Sequence, residues 1–494
     1  MDINEFLTTK QDQQAVITEL MSGRTTAIPP IADYESELKP KLHSVNNTVL
    51  RPDKWVKIDP EDVSELEASQ VKSVVTGGGD QQARRIEKVA RISLALQKLI
   101  VRRAVAFTFG NPVLLNADTE QGGKEDEVLK AVRKVLADVK SNTLNRRVAR
   151  SIFSSTEAAE LWYAVEKPNG KYGFQSKYKL RCIPLSPLNG DALFPYFDET
   201  GDMLAFSRQY SRDDNKKQKH VYFETYTDKL HYIWENTTGG WQLVDGYPLE
   251  NKIGKIPVVY GSQQQVEWAD VQNLIDRLEK LLSNFADTND YHASPKIVVK
   301  GDILRWSKKG DAGSIIEMDD NGSADYLTWS QAPESIKLEI ETLLRMIYTI
   351  TQTPDISFDS VKGLNVSGVA LELMFMDAHL KVMDKCEIFD EYMQRRTSII
   401  QAYLAQMNAR DSQFAAACES LTIEPEITPY SLRDEQAETN RLMTATGNKA
   451  IMSRRTAVRK YNEVDDVDRE IALIEEEDGA ANSMEDIFKQ EPTE

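Results

Sequence analysis

Cysteine is scarce in this chain. Cys182, Cys386 and Cys418 are its three cysteines in 494 residues. They stand far apart and none belongs to a CxxC or Cys/His cluster, so the spacing encodes neither a disulfide framework nor a zinc module. Buried, reduced thiols are expected. Histidine is almost as sparse: His43, His220, His231, His292 and His379 are scattered, which gives no Ser/His/Asp arrangement and no metal-ligand pattern. No stretch approaches the ~18 consecutive apolar residues of a membrane helix. The opening MDINEFLTTKQDQQ has no basic region leading into an apolar run, so no secretory signal is read there and folding in the cytosol is expected. A basic excess is missing too. With 78 acidic against 60 basic residues the net charge is −18, which argues against indiscriminate adhesion to nucleic acid without excluding DNA as a partner. Gly77, Gly78 and Gly79 lack the strand and the Lys-Ser/Thr of a phosphate loop and read as a turn. No catalytic residue, metal site or cofactor is expected.

What is present is an ordinary soluble composition, 41% hydrophobic and 28% charged, on a chain long enough for roughly two to four folding units. Residues 1–82 are polar, poorly periodic and left without an assignment. From ARRIEKVARISLALQKLIVRRAVAFTFGNPV, the recurrence of Ile86, Val89, Ile92, Leu96 and Leu99 predicts one helix, stopped by Gly110 and Pro112. A second helical stretch runs from about Glu125 through SIFSSTEAAELWY. From Tyr163 to Val259 the texture changes to short alternating runs (KYKLRCIPL, MLAFSRQYS, HVYFETYTD, KLHYIWEN) with NG, TG and GG turns, the pattern of antiparallel hairpins. The aromatics there suit either a sheet core or a base-stacking platform; the nearby basic residues sit mainly in the turn DDNKKQK, and the core reading is preferred.

A clean helical stripe follows: Val271, Leu274, Ile275, Leu278, Leu281, Leu282 and Phe285, a rod of about 40 Å if it spans some 25 residues. A small β-rich insertion separates it from a second helix carrying Ile336, Ile340, Leu343, Leu344 and Ile347, so the two form an antiparallel pair with a knob at one end. Then the helical pattern is broken by TPDISFDSVKGLNVSG. Pro354 removes a donor and disfavours helix at Thr353, Gly363 and Gly368 free the backbone, and Asn365 tolerates left-handed conformations. Beyond the break Leu371, Met374, Phe375, Ala378, Val382, Cys386, Phe389 and Met393 continue a helix of roughly 40 residues to Met407, its Met and Phe read as packing. A charged helical region and an acidic tail close the chain. Asp465, Asp466 and Asp468 lack the glycine and spacing of a calcium loop.

These residues resemble the siphophage-type portal proteins, the head-to-tail connectors of tailed double-stranded DNA bacteriophages. The likeness rests on KIPVVYG followed by V-x-x-LID-x-L-x-KLLSNFADTNDYHASP, on TQTPDISFDSVKGLNVSGVALELMF, on AFTFGNPV, and on IEPEIT…SRRTAV…VDDVDREI. It implies an α+β multidomain chain of portal-type fold: a mixed α/β wing over 83–261, a helical stem over 262–292 and 333–352, a β-rich clip over 293–332, a tunnel loop over 353–367, a long wing/crown helix over 368–410, a helical crown over 411–478 and a disordered acidic tail over 479–494. It also implies a homo-oligomeric ring, a 12-mer, at one capsid vertex of the virion, assembled in the host cytoplasm. The partners it implies are double-stranded viral DNA held weakly and without sequence preference, the major capsid protein, scaffold, a terminase motor and a head-tail adaptor, with no membrane. A non-viral ring or scaffold protein, or a metal-dependent enzyme, are the alternatives.

On this reading Asp355, Ser357, Asp359, Ser360, Lys362 and Asn365 are DNA-facing candidates in the tunnel loop. Lys362 either touches the phosphate backbone, with Asn365 and Ser360, or pairs with Asp359. About one phosphate charge per 1.7 Å passes such a pore, so a basic wall would hold the duplex and an acidic one lets it slide. Asp270, Asp276 and Asp287 lie off the apolar stripe and either line the channel or form a solvated outer face. Trp306 and Trp329 in the clip either fill a small core or anchor contacts between subunits and with an adaptor, the second being preferred.

Overall fold

The alternating segments after residue 156 pair as strands because their apolar residues at every second position need one buried face. A computed structural model describes residues 3–10, 12–23, 31–57, 71–75, 81–213, 218–292, 297–300, 303–306, 316–318, 323–326, 332–355, 368–431, 435–447, 450–461 and 467–488. Helices α1 (Ile3–Thr9), α2 (Gln13–Ser22) and α3 (Ile31–Leu38) precede strands β1 (Lys54–Lys57), β2 (Val71–Val75) and β3 (Gln81–Glu87), which form a small antiparallel sheet in the order β1-β3-β2. Then come α4 (Leu96–Phe109), β4 (Leu114–Asn116), α5 (Lys124–Asp138) and α6 (Ser141–Ser155).

The next strands are β5 (Glu157–Asn169), β6 (Ser176–Leu185), β7 (Ala192–Phe197), β8 (Met203–Asp213), β9 (Lys219–Tyr226), β10 (Leu230–Thr237), β11 (Gly240–Leu243), β12 (Leu249–Glu250) and β13 (Val258–Ser262). Strands β7 to β11 form an antiparallel meander, with β12 added to β10, and β13-β5-β6 is a separate sheet. The meander's core face meets α1 and α2. Ile3, Leu7, Val16, Ile17 and Leu20 pack on Ala205, Phe223, Tyr232 and Trp234, and Trp234 Nε1 donates to Gln13 Oε1 at 2.6 Å. The opening residues, unassigned from sequence, are thus the cover of a sheet.

Helix α7 (Gln272–His292) leads into β14 (Ile297–Lys300), β15 (Ile303–Trp306), β16 (Ile316–Met318) and β17 (Ser323–Tyr326), and these into α8 (Ala332–Ile350). The pairing of β14 with β17 and of β15 with β16 nests one hairpin inside another, the β-rich knob expected there. After α9 (Gly368–Met407) come α10 (Ser412–Ser420), β18 (Glu424–Glu426), α11 (Glu435–Thr446), α12 (Arg454–Tyr461) and α13 (Val467–Phe488).

Two compact units result, one of residues 1–355 with 377–430, the other of 356–376 with 431–494. The first has its main core among α4, α5, α6, β5, α7, α8 and the C-terminal half of α9. Arg396 of α9, fully buried, is bound through both Nε and a terminal nitrogen by Glu160 of β5 and donates to Asn145 Oδ1 of α6 at 2.6 Å. Burying such a pair is tolerable only with its hydrogen-bonding capacity met. In the second unit Arg454 of α12 pairs with Asp478 of α13.

Several expected boundaries move. The helix expected from Ile86 begins at Leu96: Ile86 belongs to β3, and residues 88–95 are neither helix nor strand. EAAELWY is the start of β5, not the end of a helix, because Thr156 takes a left-handed φ of 67° and closes α6 with its N–H on Ile152 O. The stem helix begins at Gln272, after a short 3-10 turn at Ala269–Val271, rather than at 262. Residues 411–430, expected in the crown, belong to the first unit, where β18 pairs with β4. The tail expected to lack structure is helical as far as Phe488.

Candidate functional site

The site is the pair α7 and α8 and the point where the second of them stops. Residues 297–300 pair with 323–326 and bring the end of α7 back to the start of α8, so the helices run antiparallel. Val271 of the turn before the first, Ile275 and Leu278 of the first and Ile347 of the second are fully buried in the main core. Arg277 binds Glu339 at 2.7 Å on the exposed side.

A second face of α7 is polar and equally occupied. Glu279, Ser283 and Asp287 recur every fourth residue, about 6 Å apart along the helix. They accept the alternate backbone N–H groups of Leu94 (2.7 Å), Ile92 (2.9 Å) and Ala90 (2.6 Å). Two extended residues advance roughly 6.6 Å, so the spacings match and segment 88–95 lies antiparallel along the helix as a strap. This is the reason that segment is not helical: three of its donors are satisfied by side chains of α7 and that of Val89 by Asp53 Oδ1 at 3.3 Å, where its own carbonyls would have served in a helix. Asp287 also binds Arg51 at 2.7 Å. Glu279 binds buried His43 at 2.7 Å; burial works against the charged imidazole, but this hydrogen bond and charge outweigh it and raise its pKa.

Helix α8 ends by a Schellman arrangement. Gln352 takes a left-handed φ of 50°, its N–H reaches Thr349 O at 3.1 Å, and the Thr353 N–H reaches Tyr348 O at 2.9 Å. Pro354 then forbids continuation. Around this stop Thr351 and Thr353 are buried and their hydroxyls bond to each other at 2.9 Å. Arg103 of α4 lies over the Tyr348 ring and donates to Pro354 O. Lys381 of α9 donates to Thr351 O at 2.9 Å, a cation at a helix C-terminus. The same ammonium binds Glu267 at 2.6 Å, and Lys385 binds its other oxygen at 2.5 Å. Burial would raise the Glu267 pKa, yet two ammonium groups hold it below the ordinary value. Lys381 lies below the usual lysine value because burial, with repulsion from Lys385, outweighs the attraction of Glu267.

The sequence-predicted residues fall unevenly on this frame. Of the tunnel-loop candidates Asp355 closes the described segment, while Ser357, Asp359, Ser360, Lys362 and Asn365 lie outside the described residues. Asp270 is exposed and accepts from Gln265 at 3.0 Å. Asp276 is half-buried, accepts from Gln272 at 3.1 Å, and has its pKa raised by burial and by the Glu279 charge. Asp287 faces the strap and Arg51 rather than standing alone. Trp306 lies in β15, its side chain outside the description, as is Trp329 altogether. Arg103, Glu267, Thr351, Lys381 and Lys385 went unforeseen. The available signal was the pair Lys381 and Lys385, four apart and beside the apolar stripe of α9.

Against this geometry, the family model described as "Phage portal protein, SPP1 Gp6-like" matches residues 82–484. The portal protein of Bacillus phage SPP1 is 23% identical over 409 residues, covering 78% of this chain and 76% of its own. Solved structures resemble it less: a chain from the neck of an empty GTA particle with C6 symmetry has a TM-score of 0.41 at 10% identity, covering 73% of this chain and 87% of that one. A chain from the neck of a native GTA particle with C12 symmetry has a TM-score of 0.38 at 12% identity, covering 74% and 88%. The match across most of its length places this chain in the SPP1 Gp6-like family of phage portal proteins, the ring-forming channels of the capsid vertex.

Proposed function

We propose that twelve copies of the chain form the ring, that double-stranded DNA passes through its bore during packaging and ejection, and that residues 353–367 project from each copy into that bore. The observation that carries this reading is the locked end of α8. A helix fixed by Arg103, Lys381 and a Schellman turn, and stopped at Pro354, delivers the next residues from a rigid root, and their composition permits cheap changes of shape. The net charge of −18 per copy supports a wall that repels the duplex. Asp270, exposed just before α7, is the stem carboxylate best suited to it; Asp276 and Asp287 act within the chain.

The exposed apolar residues of α8, Leu338, Met346 and Ile350, are covered by the neighbouring copy. In this reading the chain catalyses nothing. A terminase motor supplies ATP-driven movement, a scaffold and the major capsid protein surround the ring during assembly in the host cytoplasm, a head-tail adaptor binds the clip after packaging, and Trp306 and Trp329 serve contacts there. Lys362, with Asn365 and Ser360, makes weak phosphate contacts that position DNA without reading sequence. The test is Lys362→Ala with DNA measured per particle. A reduced yield is expected, and an unchanged yield discards the contact.

A further inference from the structure

An open cleft of about 610 Å³ lies among α1, β8, the turn after β9, the loop before β13 and α9. Lys229, Lys255 and Arg395 line it, with Met203, Ile256 and Ile399 as its apolar floor. Lys255 Nζ donates to Ser398 Oγ at 2.6 Å and Arg395 Nε to Val258 O at 3.1 Å. Among the described residues neither cation makes an ion pair. Burial, and for Lys255 the neighbouring Arg395 charge, lowers the pKa of each, while the Glu419 charge on Lys255 and the Asp202 charge on Arg395 only partly offset this. Asp228, also in the lining, is occupied by Asn4 Nδ2 at 2.8 Å. Arg208, Lys381 and Arg396, by contrast, each have a carboxylate in contact.

Lys255 and Ser398 are shared with a second trough of about 480 Å³ that continues along α9 to Gln406, floored by Ala402, Ala405 and Leu421. From Arg395 to Gln406 is roughly 17 Å of helix, the reach of about five extended residues. We propose that this groove binds a short, partly apolar acidic segment of a partner protein, whose carboxylate is seated between Lys255 and Arg395 and whose backbone follows the amide-lined face of α9. A phosphate would use the cations alone and leave the apolar floor and the trough empty, which favours the peptide.

The test is zero-length carbodiimide coupling, which joins a lysine amine to a carboxylate already in contact, applied to purified particles containing the chain and to the purified full-length chain, with Lys255 acetylation rates measured on both. The expected result is Lys255 joined to an Asp or Glu of another protein in particles, and acetylated there about tenfold more slowly, a difference of ~1.4 kcal/mol. Arg395→Gln, which places no carboxylate beside Lys255, brings the rate in particles up to that of the same variant as purified chain. Because that change also removes a bond to Val258, Lys255→Gln is the second variant; it abolishes the link and leaves the unfolding midpoint of the purified chain unchanged. Equal acetylation in both samples, a link to a second copy of this chain, or equal protection of the purified chain by inorganic phosphate or duplex DNA overturns the proposal. Particles lacking the chain would instead count against the portal reading.

Discussion

Helices α7 and α8 are near equals, with 21 and 19 residues, and both bury an apolar stripe in the same core. Their remaining faces differ. Helix α7 is finished within its own chain: Glu279, Ser283 and Asp287 act as acceptors for the strap at 90–94, and His43 and Arg51 complete two of them. Helix α8 leaves Leu338 66% and Ile350 47% exposed; its early polar contacts, such as Arg277 with Glu339, are exposed, and its buried ones lie at its C-terminal end, where Thr351, Arg103 and Lys381 meet. A helix sealed by its own chain is a fixed wall. One that leaves its apolar side open and locks only its end suits a ring, in which a neighbour supplies the missing surface.

Breaking that contrast at its strongest point means removing the buried acceptor at the Leu94 end of the strap. Glu279→Ala takes the acceptor from the Leu94 N–H and the carboxylate from buried His43, which keeps only Glu37 O on its other ring nitrogen, and a loss of about 3–5 kcal/mol is expected from urea unfolding of the purified chain. A loss below about 1 kcal/mol would mean that the strap does not hold α7. The root of the break comes next. Lys381→Met frees the Thr351 carbonyl and leaves Glu267 with Lys385 alone, and it is expected to cost about 2–3 kcal/mol and to lower DNA per particle. Loss of stability with packaging intact would separate the anchor from the channel.

A finer contrast is pH. The folded-state pKa of His43 is raised, so its contribution is fully present below the ordinary value of 6.5 and is lost as pH rises through the folded value. The stability difference between the native chain and His43→Gln is therefore expected to be largest in mild acid and to shrink toward alkaline pH. A difference that grows with pH would contradict the assignment. The smallest effect belongs to the exposed pair: Arg277→Ala is expected to change stability by no more than about 0.5 kcal/mol, and a larger loss would show that Arg277 packs the helix pair through its stem rather than by charge.

How much of this was legible depends on what each segment uses to satisfy its backbone. The long helix was readable to its last residue, Met407, because its apolar spacing and its own hydrogen bonds agree. The hairpins of the meander were readable for the same reason, each alternating run finding its partner nearby in sequence. Residues 86–95 misled because Ile86, Val89 and Ile92 are spaced as on a helix, while Ile86 pairs with Trp55 in a sheet, the Val89 N–H goes to Asp53, and those of Ala90, Ile92 and Leu94 go to α7 side chains nearly 200 positions away, which no local window contains. Of the site, Pro354 and the break were legible. The Gln352 turn, Arg103 and the Glu267–Lys381 pair depend on tertiary contact and were not.

We propose that the locked end of α8 delivers residues 353–367 to the axis of the ring. A cryo-electron microscopy map of the assembled full-length chain measures it directly. The account predicts density for these residues at the narrowest part of the bore; density on the outer rim, away from the symmetry axis, would contradict it.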